Sequence, residues 1–126
     1  MFDIEKEYLE AKKFSADLVI MFFGANVPKK YDTLTNLTIT FGERYEQLRN
    51  YLDNGINTKF IHSQGFYIRP RLDAEKEIVA EKHCDMFVSI EDIRALDESH
   101  GRFNHPSDYG MRLIAERFLK YINKIL

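Results

Sequence analysis

Cysteine is nearly absent from this sequence, and the single thiol, Cys84, can neither close an intrachain disulfide nor build a zinc site alone. A disulfide framework and a cysteine-based metal centre are therefore excluded as the source of the fold. No run approaches the roughly 18 apolar residues of a membrane span. The charged segment Met1 to Ala11 lacks the apolar core and cleavage site of an export signal, so neither signal is expected here and the compartment stays open. An excess of one charge is missing too. Against 18 Lys and Arg stand 20 Asp and Glu, a formal net charge of -2, which gives no electrostatic case for nucleic acid or an anionic membrane and points to a small or uncharged partner. Repeats and low-complexity tracts are likewise absent. The remainder is an ordinary globular balance, 44% hydrophobic and 30% charged, over 126 residues, enough for one domain with its own core.

The apolar spacing gives the order of elements. Asp3 to Lys13 reads as a helix capped by Asp3, with Ile4, Tyr8 and Ala11 on one face. Asp17 to Phe23 is a near-continuous apolar run stopped by Gly24, the pattern of a strand covered on both faces and the most buried segment to be expected. Val27 to Leu37 reads as loop. Thr40 and Glu43 then offer a capping box for a helix that carries Phe41, Tyr45, Leu48 and Leu52 and stops near Gly55. Thr58 to Ser63 is a short strand. After a turn at Arg69-Pro70-Arg71, Asp73 is expected to cap a third helix running through His83 that buries Ala74, Ile78 and Val79. Met86 to Ile90 is the third strand, and Glu91 to Asn104 is a polar connection long enough to carry function. In the last helix Met111, Ile114, Ala115, Phe118, Leu119, Ile122 and Ile125 recur at helical spacing behind Ser107 or Asp108.

Strands alternating with helices predict one α/β domain over residues 1–126 with a parallel sheet, since parallel neighbours need a crossover. Three strands are few for such a sheet, so one flank is expected to lack its neighbours. The first strand, too apolar for an open edge, is expected to be covered by residues of a longer protein, a second chain or an exchanged element. Ligands of open parallel sheets collect at the carboxyl ends of the strands. Gly24-Ala25-Asn26 follow the first strand, His62-Ser63-Gln64-Gly65 the second, and the long loop to His105 the third. Asn26 can donate its amide to an oxyanion beside the close backbone approach that Gly24 allows, and His105, held before the last helix by Pro106, can act as a general base.

These two stretches carry a resemblance. Ala16 to Asn26, a buried strand ending in Gly-x-Asn, resembles the third sequence block of the SGNH (GDSL-like) hydrolases, and Asn104-His105-Pro106-Ser107-Asp108-Tyr109-Gly110-Met111 before an amphipathic helix resembles the fifth. The resemblance spans nearly the whole chain as the carboxyl-terminal part of such a domain. It implies a flavodoxin-like three-layer α/β/α sandwich, here incomplete, and ester or acyl hydrolysis without a cofactor: a serine attacks, His105 takes its proton, and Asn26 with backbone amides such as that of Gly24 holds the oxyanion.

The chain departs from the family in two places. The Gly-Asp-Ser block and the block with the oxyanion glycine are both missing, and none of Ser15, Ser63, Ser89, Ser99 and Ser107 sits in a nucleophile motif. Ser63 is the nearest substitute because it ends a strand. Where the family places the triad acid, three residues before the histidine, stands Arg102, which cannot accept an imidazole N–H. Asp97, Glu98 or a backbone carbonyl is left to orient His105, and Asp97 is taken as the candidate. The expected activity is that of a serine ester hydrolase inactive without a supplied nucleophile, acting on a small ester and associating with a missing amino-terminal half or a second copy. The alternative is a non-catalytic module pairing through its first strand. His62, His83 and His100 lack metal-ligand spacing, Arg69 and Arg71 are candidates for an anionic substrate group, and Cys84 reads as a small core residue.

Overall fold

The computed structural model describes residues 3–23, 27 and 41–126. The expected loop from residue 28 to 37 and the capping Thr40 lie outside them. The order is α1 (Ile4–Glu7), α2 (Leu9–Phe14), β1 (Leu18–Met21), α3 (Phe41–Leu52), β2 (Lys59–Ser63), α4 (Pro70–Lys82), β3 (Met86–Val88), α5 (Glu91–Arg94) and α6 (Asp108–Ile125). The three strands form one parallel sheet in the order β1-β2-β3, with Leu18 opposite Lys59 and Ile61 opposite Met86. On one face Ile4, Met21, Tyr45, Leu48, Leu52, Phe60 and Val79 pack together, bringing α1, α3 and α4 onto the sheet. On the other, Ile61, Val88, Ile90, Ile93, Ile114 and Phe118 bring in α5 and α6. The result is the α/β/α layering that the sequence predicts. Two crossovers stepping the same way along a sheet put their helices on the same face, because both are right-handed. Only the chain after β3 turns to the opposite face.

Several expectations need correction. The most buried strand is β2, whose residues Phe60 to Ser63 are all buried, because it is the centre of the sheet. β1 is an edge: its far side meets no strand among the described residues, and Ile20 and Phe22 keep 40% and 37% of their surface exposed. Both alternate onto the α6 face, where Phe118 meets Phe22 edge-on at 5.6 Å. The first helix is two pieces, broken at Tyr8 (φ -113°, ψ 16°), whose ring packs edge-on against Phe23. Asp3 does cap it, accepting from the Lys6 amide, but Ala11 is exposed. Asp73 is no cap. Pro70 occupies the first helical turn, suited there by its fixed φ, so Asp73 falls inside α4 and is buried with Leu72, Lys76, Val79 and Ala80, while Ala74 and Ile78 face solvent. In α6 the inward residues are Gly110, Ile114 and Phe118, flanked by half-buried Leu113, Tyr121, Ile122 and Ile125; Met111, Ala115 and Leu119 lie off that stripe and are exposed. β3 ends at Val88, two residues early. Cys84 is exposed at φ 55° before β3 and is no core residue. Gly55 has the left-handed φ of 73° expected after the second long helix.

A chain of buried polar groups fastens α3 to the sheet. The Tyr45 hydroxyl lies 2.7 Å from His62 Nδ1, His62 Nε2 lies 2.8 Å from Asp85 Oδ2, and Arg49 forks onto both Asp85 oxygens at 2.9 and 3.0 Å. Arg49 also reaches Asp53 at 2.8 Å and lies over the Phe60 ring. Every ring position of His62 is satisfied by one neutral tautomer, with Nε2–H donating to Asp85 and Nδ1 accepting from Tyr45. Burial pushes the His62 pKa below its ordinary value despite the opposing pull of Asp85, and burial also raises that of Tyr45. Because the folded state disfavours the imidazolium, the unfolded chain binds the extra proton. This contribution to stability is therefore complete above the ordinary histidine pKa of about 6.5 and is lost as the pH falls below it. Urea unfolding from pH 8 to 5 is expected to show a falling midpoint below that point, with His62 in imidazole ¹⁵N spectra of the native state as the Nε2–H tautomer when neutral and protonating at a lower pH than an ordinary histidine. Native-state protonation at or above the ordinary value contradicts this assignment.

Candidate active site at the carboxyl ends of the strands

The parallel order brings the carboxyl ends of all three strands to one end of the sheet. Gly24 and Asn26, the expected oxyanion elements, lie outside the described residues. The chain leading to them ends at Phe23, whose carbonyl accepts a hydrogen bond from the buried Lys76 ammonium. After β2, the Gln64 side-chain oxygen accepts from the Ile90 amide at 2.8 Å and from the Ser89 hydroxyl at 3.3 Å, stitching the end of β2 to that of β3. Ser63 is fully buried and its hydroxyl has no hydrogen-bond partner. It is the nearest substitute nucleophile in the sequence, but a serine enclosed in this way is not presented to a substrate. Arg69 is half-buried with an unpartnered Nε, so it is less open than a surface arginine.

The third loop is built to present His105. From Arg94 the chain passes through 3₁₀ turns at Asp97–Ser99 and Arg102–Asn104, and His100 and Pro106 form an antiparallel bridge. The Gly101 amide donates to the His105 carbonyl at 2.6 Å and the His105 amide to the Arg102 carbonyl at 3.0 Å. The tightness of this loop forces Phe103 (φ 53°) and Asn104 (φ 60°) into the left-handed region together. For a residue with a side chain that conformation costs roughly 1–2 kcal/mol, less for asparagine. Phe103 is 84% exposed. His100 ties down the base of the loop, its Nε2 donating to the Arg94 carbonyl and its Nδ1 against the Asn104 side chain, both at 2.6 Å.

His105 is exposed, and its Nδ1 lies 3.0 Å from the Tyr67 hydroxyl, with the rings at a steep angle. Asp97, the expected partner, is exposed, and among the described residues its observed bond is a backbone one, its carbonyl accepting from the His100 amide. Tyr67 stands where the acid was sought. The chemistry differs accordingly. With Nδ1–H donating to the phenol oxygen, Nε2 keeps a free lone pair and can act as a base; with the hydroxyl donating to Nδ1, Nε2 carries the proton and cannot. A neutral phenol orients the ring but lacks the negative charge with which a carboxylate stabilises the imidazolium. Sequence spacing gave no signal for Tyr67, which is 38 positions from His105 and is delivered by the second strand.

Two further residues hold this arrangement from below. Ser107 caps α6, accepting from the Gly110 amide at 3.1 Å, while its hydroxyl donates to the Glu98 carbonyl at 2.6 Å and its amide to the Ser99 carbonyl at 2.7 Å. Gly110 explains the glycine of the His-Pro-Ser-Asp-x-Gly-Met stretch, since a Cβ there would lie 2.3 Å from the Ser99 carbonyl oxygen. The first turn of α6 thus rests directly on the backbone of the loop that presents His105. Among the described residues no cluster of three or more His, Cys, Asp or Glu side chains is placed to hold a metal ion, and no helix is long and apolar enough to cross a membrane. In comparisons with known proteins, no family, no curated protein and no solved structure matches the chain.

Proposed function

We propose that this chain is the carboxyl-terminal part of an SGNH-type ester hydrolase, with His105 as general base, Asn26 as oxyanion donor and a nucleophilic serine supplied from outside its 126 residues. The observation that carries the reading is the delivery of His105, by a strained loop after β3, to an exposed position against Tyr67, at the carboxyl end of a parallel sheet; in sequence, Gly24-Ala25-Asn26 follows β1 directly after Phe23. The far side of β1, which meets no strand among the described residues, fits the same reading, because a missing serine-bearing strand would cover it. It equally favours a second reading, in which a non-catalytic module pairs through β1 with another copy.

One experiment separates them. Alone, the chain is expected to leave a fluorophosphonate probe unreacted. Mixed or joined with a segment whose strand ends in Gly-Asp-Ser, it is expected to hydrolyse p-nitrophenyl acetate, with Asn26→Ala lowering kcat by about 10²–10³-fold and His105→Ala at least as much. Labelling of Ser63 in the chain alone sinks the missing-nucleophile reading. Self-association in light scattering, together with no turnover after complementation, favours the pairing module.

A further inference from the structure

We propose that Arg94 is the positioning residue of His105, setting the Tyr67–His105 contact from both of its sides. Its side chain, nearly fully buried, donates to the Gly65 carbonyl at 3.0 Å and lies 3.5 Å from the Tyr67 carbonyl, which fixes the chain that carries the tyrosine. Its own carbonyl accepts from His100 Nε2 at 2.6 Å, which fixes the base of the loop that carries the histidine. The two loops come from different strands, and this one residue touches both. Besides the apolar contact of Phe66 with the His100 ring at 4.8 Å, the phenol and the imidazole meet through a single 3.0 Å contact at an exposed position, too little to fix their geometry.

Arg94 is itself immobilised. Asp73 Oδ2 accepts from the guanidinium at 3.1 Å, and the other oxygen of that carboxylate lies 3.6 Å from the fully buried Lys76. Lys76 in turn donates to the Phe23 carbonyl, so the cluster also reaches the end of β1. Gly65 leaves the necessary space, since a Cβ at that position would lie 3.1 Å from the Phe23 oxygen and 3.9 Å from Lys76 Nζ. Arg94 and Lys76 share the Asp73 carboxylate, Arg94 also lies 3.9 Å from the exposed Glu91 carboxylate, and desolvation holds the Lys76 pKa below its ordinary value. A buried cluster of charges is a poor device for stability alone, since well-packed apolar residues serve as well or better. Its reach to the ends of β1 and β2 and to the base of the His105 loop is what apolar residues cannot reproduce.

The inference rests on the reading of His105 as a base, and its test is arranged so that the two can fail separately. Arg94→Lys keeps a cation for Asp73, but its ammonium ends a bond short of Nη1, the nitrogen from which Arg94 reaches the carboxylate and the Gly65 carbonyl together. In the chain as it stands, the imidazole ¹⁵N and Tyr67 ring signals are compared among wild type, Arg94→Lys and Tyr67→Phe. The Arg94→Lys signals of His105 are expected to move onto those of Tyr67→Phe while the amides of β2 stay in place. Wild-type His105 signals in Arg94→Lys overturn the proposal. Should that variant not fold, His100→Ala, which cuts the other arm, must produce the same displacement, and an unmoved His105 is equally decisive. In the complemented enzyme, Arg94→Lys is expected to lower kcat by about 10²-fold with KM unchanged. Absence of turnover in the wild-type complement removes the hydrolase reading and leaves the spectroscopic result standing.

Discussion

Gly110→Ala is expected to lower stability by about 3 kcal/mol or more, toward the upper end of what overpacking costs, and to dislodge His105 at the same time. The added methyl would meet the Ser99 carbonyl oxygen at 2.3 Å, a backbone atom that cannot swing aside as a side-chain end would. Ser99 is fully buried, with its hydroxyl on the Leu96 carbonyl and its own carbonyl accepting from the Ser107 amide, so relief must come from shifting α6 or the loop. Alanine is ordinarily the better helix former, by about 1 kcal/mol. A substitution that should stabilise an exposed helix is therefore expected to cost several times that amount here. For a domain of this size the loss corresponds to a fall in Tm of roughly 10 °C, measurable by calorimetry. An unchanged Tm means that α6 does not rest on this loop.

The second large effect is expected from Asp85→Ala. The carboxylate accepts three charged or buried donors, two from Arg49 and one from His62, and its removal strands a guanidinium and an imidazole N–H in the interior. Removing one member of a buried ion pair typically costs about 3–5 kcal/mol, because the remaining charge is left uncompensated. Asp53 retains part of the Arg49 charge, but from a more solvated position, its side chain being 31% exposed. Chemical denaturation is expected to show the loss as a lowered midpoint at unchanged slope. Arg49→Met combined with Asp85→Leu, His62→Phe and Tyr45→Phe, the last because the Tyr45 hydroxyl would otherwise lose its His62 partner, tests the cause: if uncompensated polarity is the source, the combined variant recovers much of what the single one loses. If the combined variant is no better, the loss is one of packing.

The layers of the fold were legible because they follow from period alone. The 3.6-residue recurrence around Ile114 and Phe118 and the short apolar runs near Val19, Ile61 and Val88 fix a helix and three strands whatever their neighbours are. Burial was not legible to the same degree. β1 has the most apolar sequence and the more open position, because exposure depends on which strand is central. Asp73 read as a helix cap and Lys76 carried no signal, yet each finds in Arg94 or Phe23 a partner contributed by a distant element. Of the site, His105 and the capping Ser107 could be found from local motif, and Gly110 could be seen there without its reason. Tyr67 and Arg94 could not, since their contacts to the histidine and its loop join separate strands and leave no mark in spacing.

The all-parallel ladder has a kinetic consequence. Leu18 pairs with Lys59 across 41 positions and Ile61 with Met86 across 25, and no hairpin exists in the described sheet to form first. Each rung must wait for a whole crossover to close, which makes such sheets slower to assemble than helical bundles of similar length. Helices α3 and α4 can form on their own timescale, but β2 cannot bury its side chains until both have docked. During that interval the Leu18–Met21 segment is a bare apolar strand awaiting a mate, and in the finished fold one side of it still has none among the described residues. The race between closing the crossover and meeting another molecule is thus written into the sheet order, and dilution during refolding favours the first.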